Sequence, residues 1–482
     1  MPKVLILGGG VSGHTAALHA KRLLGNKAEV TVVTPNSKWN WIPSNIWVGV
    51  GKMTSSQVVF PLAPVYKRKK IEYLQAKAVA IRPFGDDSSE QGAVDIEFTG
   101  QNRIGESSRI RYDYLVNATG PQLRFDLTKG LGPTGNSVSV CTYQHAEEAN
   151  KALQEVIAKL KAGQPQTLVI GMGHGTCTCE GAAFEYVFNV DHELRAAKVR
   201  DLAEVIYLSN EHELGDFGVG GMEFEGGLNS ETWMTDIFAK HNIKVILQAH
   251  VTEVLPNEVE YETISGETLT QKFDFAMLLP PFRGVTMAAY DRVGTDITAD
   301  MFAANGFMKV DADYTVKDFE EWRGADWPKT YEAPLYPNVF GVGIAFAPPH
   351  AISKPYKTPK GTLVAPAPPR TGMPAGVQGR VAAETIALRI KSGDAKYPAK
   401  TASMADMGAA CIASIGNGMF DGSAATITMA PIVPDKTVYP TGRDLAVTSG
   451  EIGLAGHWIK RMLHTLFIYK AKALPGWTNI PE

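Results

Sequence analysis

A glycine-rich turn that follows an apolar strand decides the fold: Lys3-Val4-Leu5-Ile6-Leu7-Gly8-Gly9-Gly10-Val11-Ser12-Gly13. The turn fits the G-x-G-x-x-G pattern, and a helix is predicted directly after it, over residues 13–24, which is the context in which the pattern binds a dinucleotide. Gly8 permits the tight turn, Gly10 lets backbone N–H groups approach a pyrophosphate, and Gly13 lets the helix pack closely on the strand. The stretch therefore predicts a Rossmann-like domain, and a turn that serves only packing is the alternative.

The next predicted strand, residues 29–33, ends without the acidic residue that usually accepts the ribose hydroxyl. Thr34-Pro35-Asn36 stands there instead. We therefore expect Thr34 or Asn36 to take over the recognition of the ribose.

A second strand, glycine turn and helix predict a second domain of the same kind. The strand covers residues 167–170, the helix runs from about 180 to 202, and a strand returns at 204–208. Two such units suggest two related parallel-sheet domains. Between them, residues 94–98 and 112–116 predict strands of an inserted small sheet, and the proline-rich residues 347–375 predict a long irregular crossing loop.

Length and composition exclude several classes of protein. The chain has 482 residues, 47 Lys and Arg against 50 Asp and Glu, and 44% hydrophobic residues, which argues against a nucleic-acid surface and against disorder. Four cysteines are too few for a disulfide scaffold, so any disulfide is expected to do chemistry. We expect no signal peptide and no membrane-spanning helix, because the start lacks a charged and apolar leader and no apolar run approaches about 20 residues.

The second glycine turn carries two of the cysteines: Gly171-Met172-Gly173-His174-Gly175-Thr176-Cys177-Thr178-Cys179-Glu180. A thiol at a helix amino terminus has a lowered pKa, which predicts a reactive sulfur at Cys177 or Cys179. Inert structural cysteines and a pair of metal ligands are the alternatives, although no second pair at zinc spacing accompanies them. The strand after this helix ends in Ser209-Asn210, again without an acidic residue.

Two further segments favour FAD over NAD in the first domain. Tyr112-Asp113-Tyr114-Leu115-Val116-Asn117-Ala118-Thr119-Gly120 resembles the strand and turn that close the FAD domain in the disulfide reductase superfamily with two dinucleotide folds. Asn338-Val339-Phe340-Gly341-Val342-Gly343-Ile344-Ala345 resembles the element near the ribityl chain, with Ile344 where an Asp would stand.

The C-terminal region combines a weakly charged stretch with a basic helical tail. Between residues 404 and 434 only Asp406 and Asp421 are charged. Over residues 454–474, apolar and ring-bearing side chains recur at helical spacing beside several cations, a pattern typical of a helix at a membrane interface. A basic helix docked on the protein's own core is the alternative. The apolar set is Trp458, Met462, Leu466 and Tyr469, and the cations are Lys460, Arg461, His464, Lys470 and Lys472.

These features together resemble the sulfide:quinone oxidoreductase family nearly from end to end. The matching segments, in chain order, are residues 43–51, 112–120, 139–147, the cysteine loop before 183–186, 343–345 and 410–413. The resemblance implies an α/β fold with two Rossmann-like dinucleotide-binding domains, three-layered and glutathione-reductase-like, plus a C-terminal membrane-associating region. It divides the chain into a first FAD-binding part (1–160), a second domain with the cysteine loop (161–330), an FAD domain return (331–400) and a quinone and membrane region (401–482).

The resemblance also implies roles for the cysteines. The redox pair falls on Cys179 and Cys411, Cys141 matches a third cysteine near the flavin, and Cys177 is extra, so the partner of Cys411 is Cys179 or Cys177. Sulfide attacks the cysteine bridge, an electron pair passes through FAD to a membrane quinone, and polysulfide or sulfur leaves. Asp216 stands where many members have a histidine.

For the cofactor and partners, the resemblance implies FAD, hydrogen sulfide, a membrane quinone, a homo-oligomer, no metal, and peripheral attachment to a prokaryotic membrane. Phe420 and Trp458 are predicted near the quinone, and Glu180, Glu185, His145 and His174 are candidates for proton transfer. Arg370, within Pro369-Arg370-Thr371-Gly372, is expected to place a cation beside the flavin pyrimidine. The predicted cofactor contacts are Gly8, Gly10, Ser12, Gly13, Thr34, Asn36, Pro43, Ser44, Asn45, Ala78, Ala118, Thr119, Gly120, Gly343, Ile344, Arg370, Thr371 and Gly372.

Three rival interpretations stay open at this point. A type II NADH:quinone oxidoreductase shares the fold, but the cysteines and the acid-free second loop argue against it. A flavocytochrome sulfide dehydrogenase subunit would need an export signal and a haem partner. A non-catalytic flavoprotein that senses persulfides through Cys177 and Cys179 comes from a different class.

Overall fold

The computed structural model describes residues 1–100, 102–370 and 372–482. Its main sheet is built around the strand Lys3–Leu7, which pairs in parallel with Glu29–Thr34 on one side and with Tyr114–Asn117 on the other. These strands are buried on both faces, as expected for a parallel sheet covered by helices. From edge to edge the order is Val339–Gly341, Tyr114–Asn117, Lys3–Leu7, Glu29–Thr34, Glu72–Arg82, Ala93–Phe98 and Ser107–Arg111, with Ala288–Ala289 beside Glu72–Arg82.

The prediction of a separate inserted sheet is wrong, because both of its strands belong to the main sheet. The strand Tyr114–Asn117 lies beside the first strand of the chain. The strand Ala93–Phe98 pairs with the far half of Glu72–Arg82, whose first residues pair in parallel with Glu29–Thr34. One strand of eleven residues is long enough to join a parallel and an antiparallel part.

The second Rossmann-like unit has a four-stranded parallel sheet in the order Lys244–Ile246, Ala203–Leu208, Gln166–Met172 and Phe275–Leu279. Its first helix, Glu180–Ala196, ends earlier than predicted, and a short 3₁₀ turn, Arg200–Leu202, precedes the next strand. Two antiparallel sheets accompany it: Ala249–Leu255, Glu258–Thr263 and Thr268–Lys272, and, near the C-terminus, Ala409–Ile415, Ser423–Met429 and Ser449–Gly453.

The fold class is as predicted, with two Rossmann-like units, while the domain bounds stay a prediction. The helix Val11–Leu24 packs against Gly372–Ser392, and the tail helix is Leu454–Ala471. Residues 347–370 are largely irregular apart from the short pair Tyr356–Lys357 and Leu363–Val364. The other helices are Asn45–Gly49, Ser55–Val58, Leu62–Lys69, Tyr143–Lys161, Ser230–Lys240 and Thr298–Met301, and the remaining strand pairs are Lys38–Asn40 with Val59–Pro61 and Pro121–Leu123 with Phe282–Gly284.

Candidate active site

Two glycines of the first turn are required by the protein's own packing. A Cβ on Gly8 would lie 2.1 Å from the carbonyl oxygen of Ala118, and Gly8 has a φ of +101°. A Cβ on Gly13 would lie 2.1 Å from the carbonyl oxygen of Gly8. Both contacts are with backbone atoms that cannot move aside, so the tight turn and the close packing expected at these positions are confirmed.

Gly10 has a different reason to be a glycine. Its φ is an ordinary −78°, and a Cβ there would meet no atom of the described residues within 4 Å. The helix Val11–Leu24 begins directly after it, and no side chain among the described residues caps the first amide groups. Free amides at a helix start, with open space in front, form an anion site that the pyrophosphate of FAD fits.

Several other predicted cofactor residues border this turn. The backbone N–H and the hydroxyl of Thr119 both donate to Asn117 Oδ1, at 3.3 and 2.9 Å, and Gly120 follows with a φ of +73° and open space around it. Gly343 also has a positive φ, and a Cβ on it would lie 2.1 Å from Ser12 Oγ. The sheet topology thus gathers residues from three distant segments around one helix terminus.

Other predicted contacts use their side chains inside the protein. Ser44 Oγ lies 2.8 Å from His464 Nδ1, and Asn45 Nδ2 donates to the carbonyl of Val140 at 3.2 Å, so a cofactor role for these two stays a prediction for their backbone groups. The remaining positions are listed here: Thr34 and Ala78 are buried, Asn36 and Pro43 are exposed, Ala118 is buried beside Gly8, Gly372 begins its helix, and Thr371 lies outside the described residues.

The second glycine turn is filled by the chain itself. The backbone N–H groups of Ala365 and Ala367 donate to the carbonyls of Gly175 and Cys177, each at 2.8 Å, and the N–H of Gly175 donates to His250 Nδ1 at 3.1 Å. The helix begins only at Glu180, well beyond the glycines. This arrangement differs from the open helix start at Gly10.

The helix Glu180–Ala196 and the strand Ala409–Ile415 are joined along their lengths, which brings Cys411 to the end of the helix that carries Cys179. Ser414 N and Oγ donate to Glu185 Oε1 at 3.1 and 2.6 Å. One turn further along, Asn189 Nδ2 donates to the carbonyl of Ser414 at 2.6 Å. One turn before Glu185, a Cβ on Gly181 would lie 3.3 Å from Cys411 Sγ. Positions 181, 185 and 189 share one helix face. This face therefore contacts the strand from Cys411 to Ser414.

All four cysteines carry free thiols, and their surroundings differ. Cys177 is fully buried, and its thiol donates to the carbonyl of Leu279 at 3.1 Å. Cys179 is half-buried at the start of the helix with a left-handed backbone, φ +75° and ψ +40°, a conformation that costs energy for a residue with a Cβ and that clusters at active sites. The negative charge that would develop on Cys141 would repel one on Cys177 or on Cys179, so these three sulfurs lie in one region.

The expectation of a lowered thiol pKa at the helix start is wrong. Burial, together with the Glu180 and Cys141 charges, raises the pKa of Cys179 to about 12, and burial raises the pKa of Cys141 and of Cys411 to about 11 each. Removal of a thiolate from water outweighs the helix dipole here. As free thiols these groups are protonated at neutral pH.

Arg370 supplies the positive charge at this place. Its Nη1 donates to the carbonyls of Ile344 and Phe346, at 2.9 and 2.6 Å, while its buried Nε has no partner among the described residues. Burial lowers the pKa of Arg370 to about 9, opposed by the charge of Cys179. Arg370 therefore lies near Cys179 with a free donor, as a cation placed against a reduced flavin would require.

A buried ion pair between Glu185 and Lys460 holds the Cys411 strand in place. The sequence analysis named both residues but did not predict that they form a pair. Lys460 Nζ donates to both oxygens of Glu185, each at 2.5 Å, and to the carbonyl of Ile412 at 2.8 Å. The prediction that Lys460 is a cation of the tail surface is wrong. The same prediction is wrong for Lys470, which is buried and donates to the carbonyl of Ile480 at 2.7 Å. Partners so distant in the chain leave no local pattern in the sequence.

The two histidines predicted for proton transfer are partly buried. The His174 ring stacks edge-on against His250, with centroids 4.4 Å apart, and burial lowers the pKa of His174 to about 4. His145 packs edge-on against Phe125, and burial lowers its pKa as well. Both are therefore neutral imidazoles at neutral pH, and their proton-transfer roles stay predictions.

The two residues predicted near the quinone lie together on the outside of the C-terminal sheet. Phe420 is 84% exposed and Trp458 is 47% exposed, and Trp458 Nε1 donates to the carbonyl of Met419 at 2.8 Å. The sequence analysis missed two buried residues next to the turn of Phe420, Trp47 and His457. A Cβ on Gly422 would lie 2.6 Å from the His457 ring, and Trp47 Nε1 has no hydrogen-bond partner among the described residues. Their rings are 6.3 Å apart.

Comparison with known proteins gives relatives over nearly the whole chain. The sulfide-quinone reductase of Aquifex aeolicus is 28% identical over 97% of this chain and 91% of its own length. A mitochondrial sulfide:quinone oxidoreductase of Mus musculus is 25% identical over 71% of this chain and 65% of its own length.

Solved structures agree with these matches. The X-ray structure of the sulfide:quinone oxidoreductase from Aquifex aeolicus aligns over 98% of this chain and 92% of that chain, with a TM-score of 0.76 and 27% identity. NDH2 from Plasmodium falciparum aligns over 98% of this chain and 96% of that chain with a TM-score of 0.63 but only 12% identity, which is a likeness of fold alone.

The family model described as pyridine nucleotide-disulphide oxidoreductase matches residues 2–313, more than half of the chain. The matched part contains the open glycine turn at Gly10 and the cysteine loop at Cys179. With the two Rossmann-like units, it places this chain in the pyridine nucleotide-disulphide oxidoreductase family.

Proposed function

We propose that this protein is a sulfide:quinone oxidoreductase, which oxidises sulfide at a cysteine pair and passes two electrons through FAD to a quinone. The relatives from Aquifex and mouse carry this activity in their names. The observation that carries the proposal is the register between the helix of Cys179 and the strand of Cys411, set by Glu185 and Asn189. This packing supports a reaction between a cysteine of the second Rossmann-like unit and a cysteine of the C-terminal sheet, near Arg370, which would face the flavin.

FAD is the cofactor of this family, and when bound it accepts an electron pair from sulfur and delivers it to the quinone. The free amides after Gly10 would hold its pyrophosphate, and the positive φ at Gly120 and Gly343 lets the backbone pass close to it. Arg370, with its free Nε, would stabilise negative charge on the reduced cofactor.

Cys179 and Cys411 are proposed as the redox pair. Sulfide attacks their bridge, so a new S–S bond forms on one cysteine, the old S–S bond breaks, and the other cysteine leaves as a thiolate. Arg370 lowers the energy of that thiolate when it forms on Cys179. Cys141 is the third sulfur nearby. We propose Cys179 rather than Cys177 as the partner of Cys411, because the Cys177 thiol donates to the Leu279 carbonyl in the core. Loss of an electron pair to bound FAD would let the thiolate and the persulfide rejoin as a bridge that is one sulfur longer. Repeated cycles would then lengthen the sulfur chain until polysulfide or sulfur leaves.

The test of this function compares two electron donors. We expect anaerobic sulfide to bleach the flavin of the purified holoenzyme rapidly and NADH to leave it oxidised, because the Gly175–Cys177 backbone is already paired with residues 365–367. The measurement is stopped-flow flavin absorbance, followed by steady-state reduction of a short-chain quinone. Bleaching by NADH alone would instead favour a type II NADH:quinone oxidoreductase, and bleaching by sulfide without quinone turnover would favour a persulfide sensor.

We also propose that the protein binds a membrane through an apolar tail patch, and takes its quinone there. The patch consists of Met419, Phe420, Trp458, Ile459 and Met462, all exposed. Among the residues that the structure describes, no helix is long and apolar enough to cross a bilayer. A prokaryotic membrane and a homo-oligomeric state stay predictions from the family resemblance.

Removal of two side chains from the tail patch should release the protein from lipid. We expect Phe420→Ser with Met462→Ser to lose about 3 kcal/mol, or roughly 100-fold in partitioning to vesicles, at about 1.5 kcal/mol for each buried apolar side chain. The measurement is co-sedimentation with phosphatidylglycerol and phosphatidylcholine vesicles. Val293→Ser with Val316→Ser is the matched control, since both valines are exposed elsewhere. Equal loss in both double variants would contradict a specific patch.

A further inference from the structure

A group of three carboxyl side chains extends from the cysteine loop toward the surface, and the proposed chemistry has not used it. Glu180 follows Cys179 directly and is fully buried, and neither of its carboxyl oxygens has a hydrogen-bond partner among the described residues. A buried carboxyl without a partner is costly. No hydrogen bond among the described residues offsets that cost.

The second carboxyl is Glu211, on the loop after the strand Ala203–Leu208. It accepts from Tyr207 Oη at 2.9 Å, from Ser209 Oγ at 2.8 Å and from Phe217 N at 3.0 Å. Phe217, whose N–H donates to Glu211, is followed by Gly218, where a Cβ would lie 3.3 Å from Glu180 Oε2. Glu211 is thus fixed in position and close to Glu180, in surroundings that can stabilise its ionised form.

The third carboxyl, Asp216, connects the pair to the outside. It is partly exposed, and its Oδ1 accepts from Gly218 N at 2.9 Å and Ser353 Oγ at 2.5 Å. A Cβ on Gly218 would lie 3.3 Å from Glu180 Oε2, so the turn that Asp216 closes covers Glu180. Glu180 and Glu211 are both fully buried, whereas Asp216 is partly exposed.

We propose that Glu180, Glu211 and Asp216 form a relay that carries protons from sulfide at the cysteines to solvent. The inference rests on the proposed sulfide oxidation and names the route for its protons. When H₂S enters, its S–H bond breaks, HS⁻ attacks the cysteine bridge, and the proton passes to Glu180. No hydrogen bond among the described residues joins the three carboxyls directly. Glu180 can accept the proton once its own proton has moved through water to Glu211 and then past Asp216 to solvent.

The electrostatics agree with this order. Burial and the neighbouring Glu211 and Asp216 charges raise the pKa of Glu180 well above its usual range, which favours its protonated form. Burial raises the pKa of Glu211 to about 7 against its hydrogen bonds, which allows it to gain and lose a proton near neutrality. The other titratable or charged groups that act on the three are Cys177, Cys179, Tyr207, Glu213 and Arg443.

The test is the pH profile of sulfide-driven flavin reduction in the holoenzyme. We expect Glu180→Gln to slow this step about 100-fold at neutral pH, with a smaller deficit at higher pH, where sulfide enters as HS⁻ and brings one proton less. Glu211→Gln should remove the inflection near pH 7 that its own pKa causes. FAD content and direct reduction by dithionite should match the wild type in both variants, because Gln has the shape of a protonated Glu. Glu231→Gln, an exposed carboxyl on the next helix, is the control.

Each other outcome overturns the relay. If both variants keep the wild-type rate and pH profile, or are slowed equally at every pH as a packing defect would do, the three carboxyls carry no protons. If sulfide does not bleach even the wild-type flavin, sulfide oxidation itself is wrong, and that result is distinct because it appears before any variant is made.

Discussion

Cys179→Ser and Cys411→Ser should each slow sulfide-driven flavin reduction on the order of 10⁴-fold or more, since removal of a group that forms the covalent bond costs that much or more. Without either sulfur there is no bridge for sulfide to attack. The measurement is anaerobic stopped-flow bleaching, together with the amount of FAD released on denaturation. FAD content should be unchanged, because neither cysteine borders the open helix start at Gly10.

Cys177→Ser is the matched control for this experiment. A serine hydroxyl can replace the thiol as donor to the Leu279 carbonyl, so we expect reduction of the flavin by sulfide to continue. If Cys177→Ser were as inactive as Cys411→Ser while Cys179→Ser stayed active, the pair would be Cys177 and Cys411. Full activity of Cys411→Ser would remove that cysteine from the mechanism altogether.

The sequence predicted those parts of the site that depend on local patterns. The glycine turn at Gly8 to Gly13 and the unusual loop with Cys179 each follow a strand and precede a helix, so their place in the fold follows from their neighbours in the chain. The same reasoning placed the strand Tyr114–Asn117 in the wrong sheet, because its partner, Lys3–Leu7, is more than a hundred residues away.

Other parts of the site could not be predicted because they depend on burial. The helix dipole suggested an acidic thiol at Cys179, but the depth of the site reverses the shift in pKa. Lys460 was interpreted as a surface cation. The helical spacing does not reveal that Lys460 faces the protein and pairs with the carboxylate of Glu185. A buried partner changes the interpretation of charged residues more than that of other residues, because it moves them from the surface to the interior.

The glycines of the first turn offer the sharpest test of cofactor binding, because two of them should fail for different reasons. Gly10→Val should leave a folded protein that binds FAD weakly, with a loss of about 3 kcal/mol in binding free energy or roughly 100-fold in Kd. The reason is that the added side chain occupies only the space in front of the free amides. Gly8→Ala should lower the stability of the fold itself by about 3 kcal/mol, because its Cβ would stand 2.1 Å from a backbone oxygen at a φ of +101°. FAD titration by fluorescence and thermal unfolding of the apoprotein separate the two effects. A Gly10→Val protein that binds FAD normally would move the pyrophosphate away from this helix, and an apoprotein destabilised as much by Gly10→Val as by Gly8→Ala would show that position 10 is a glycine for packing after all.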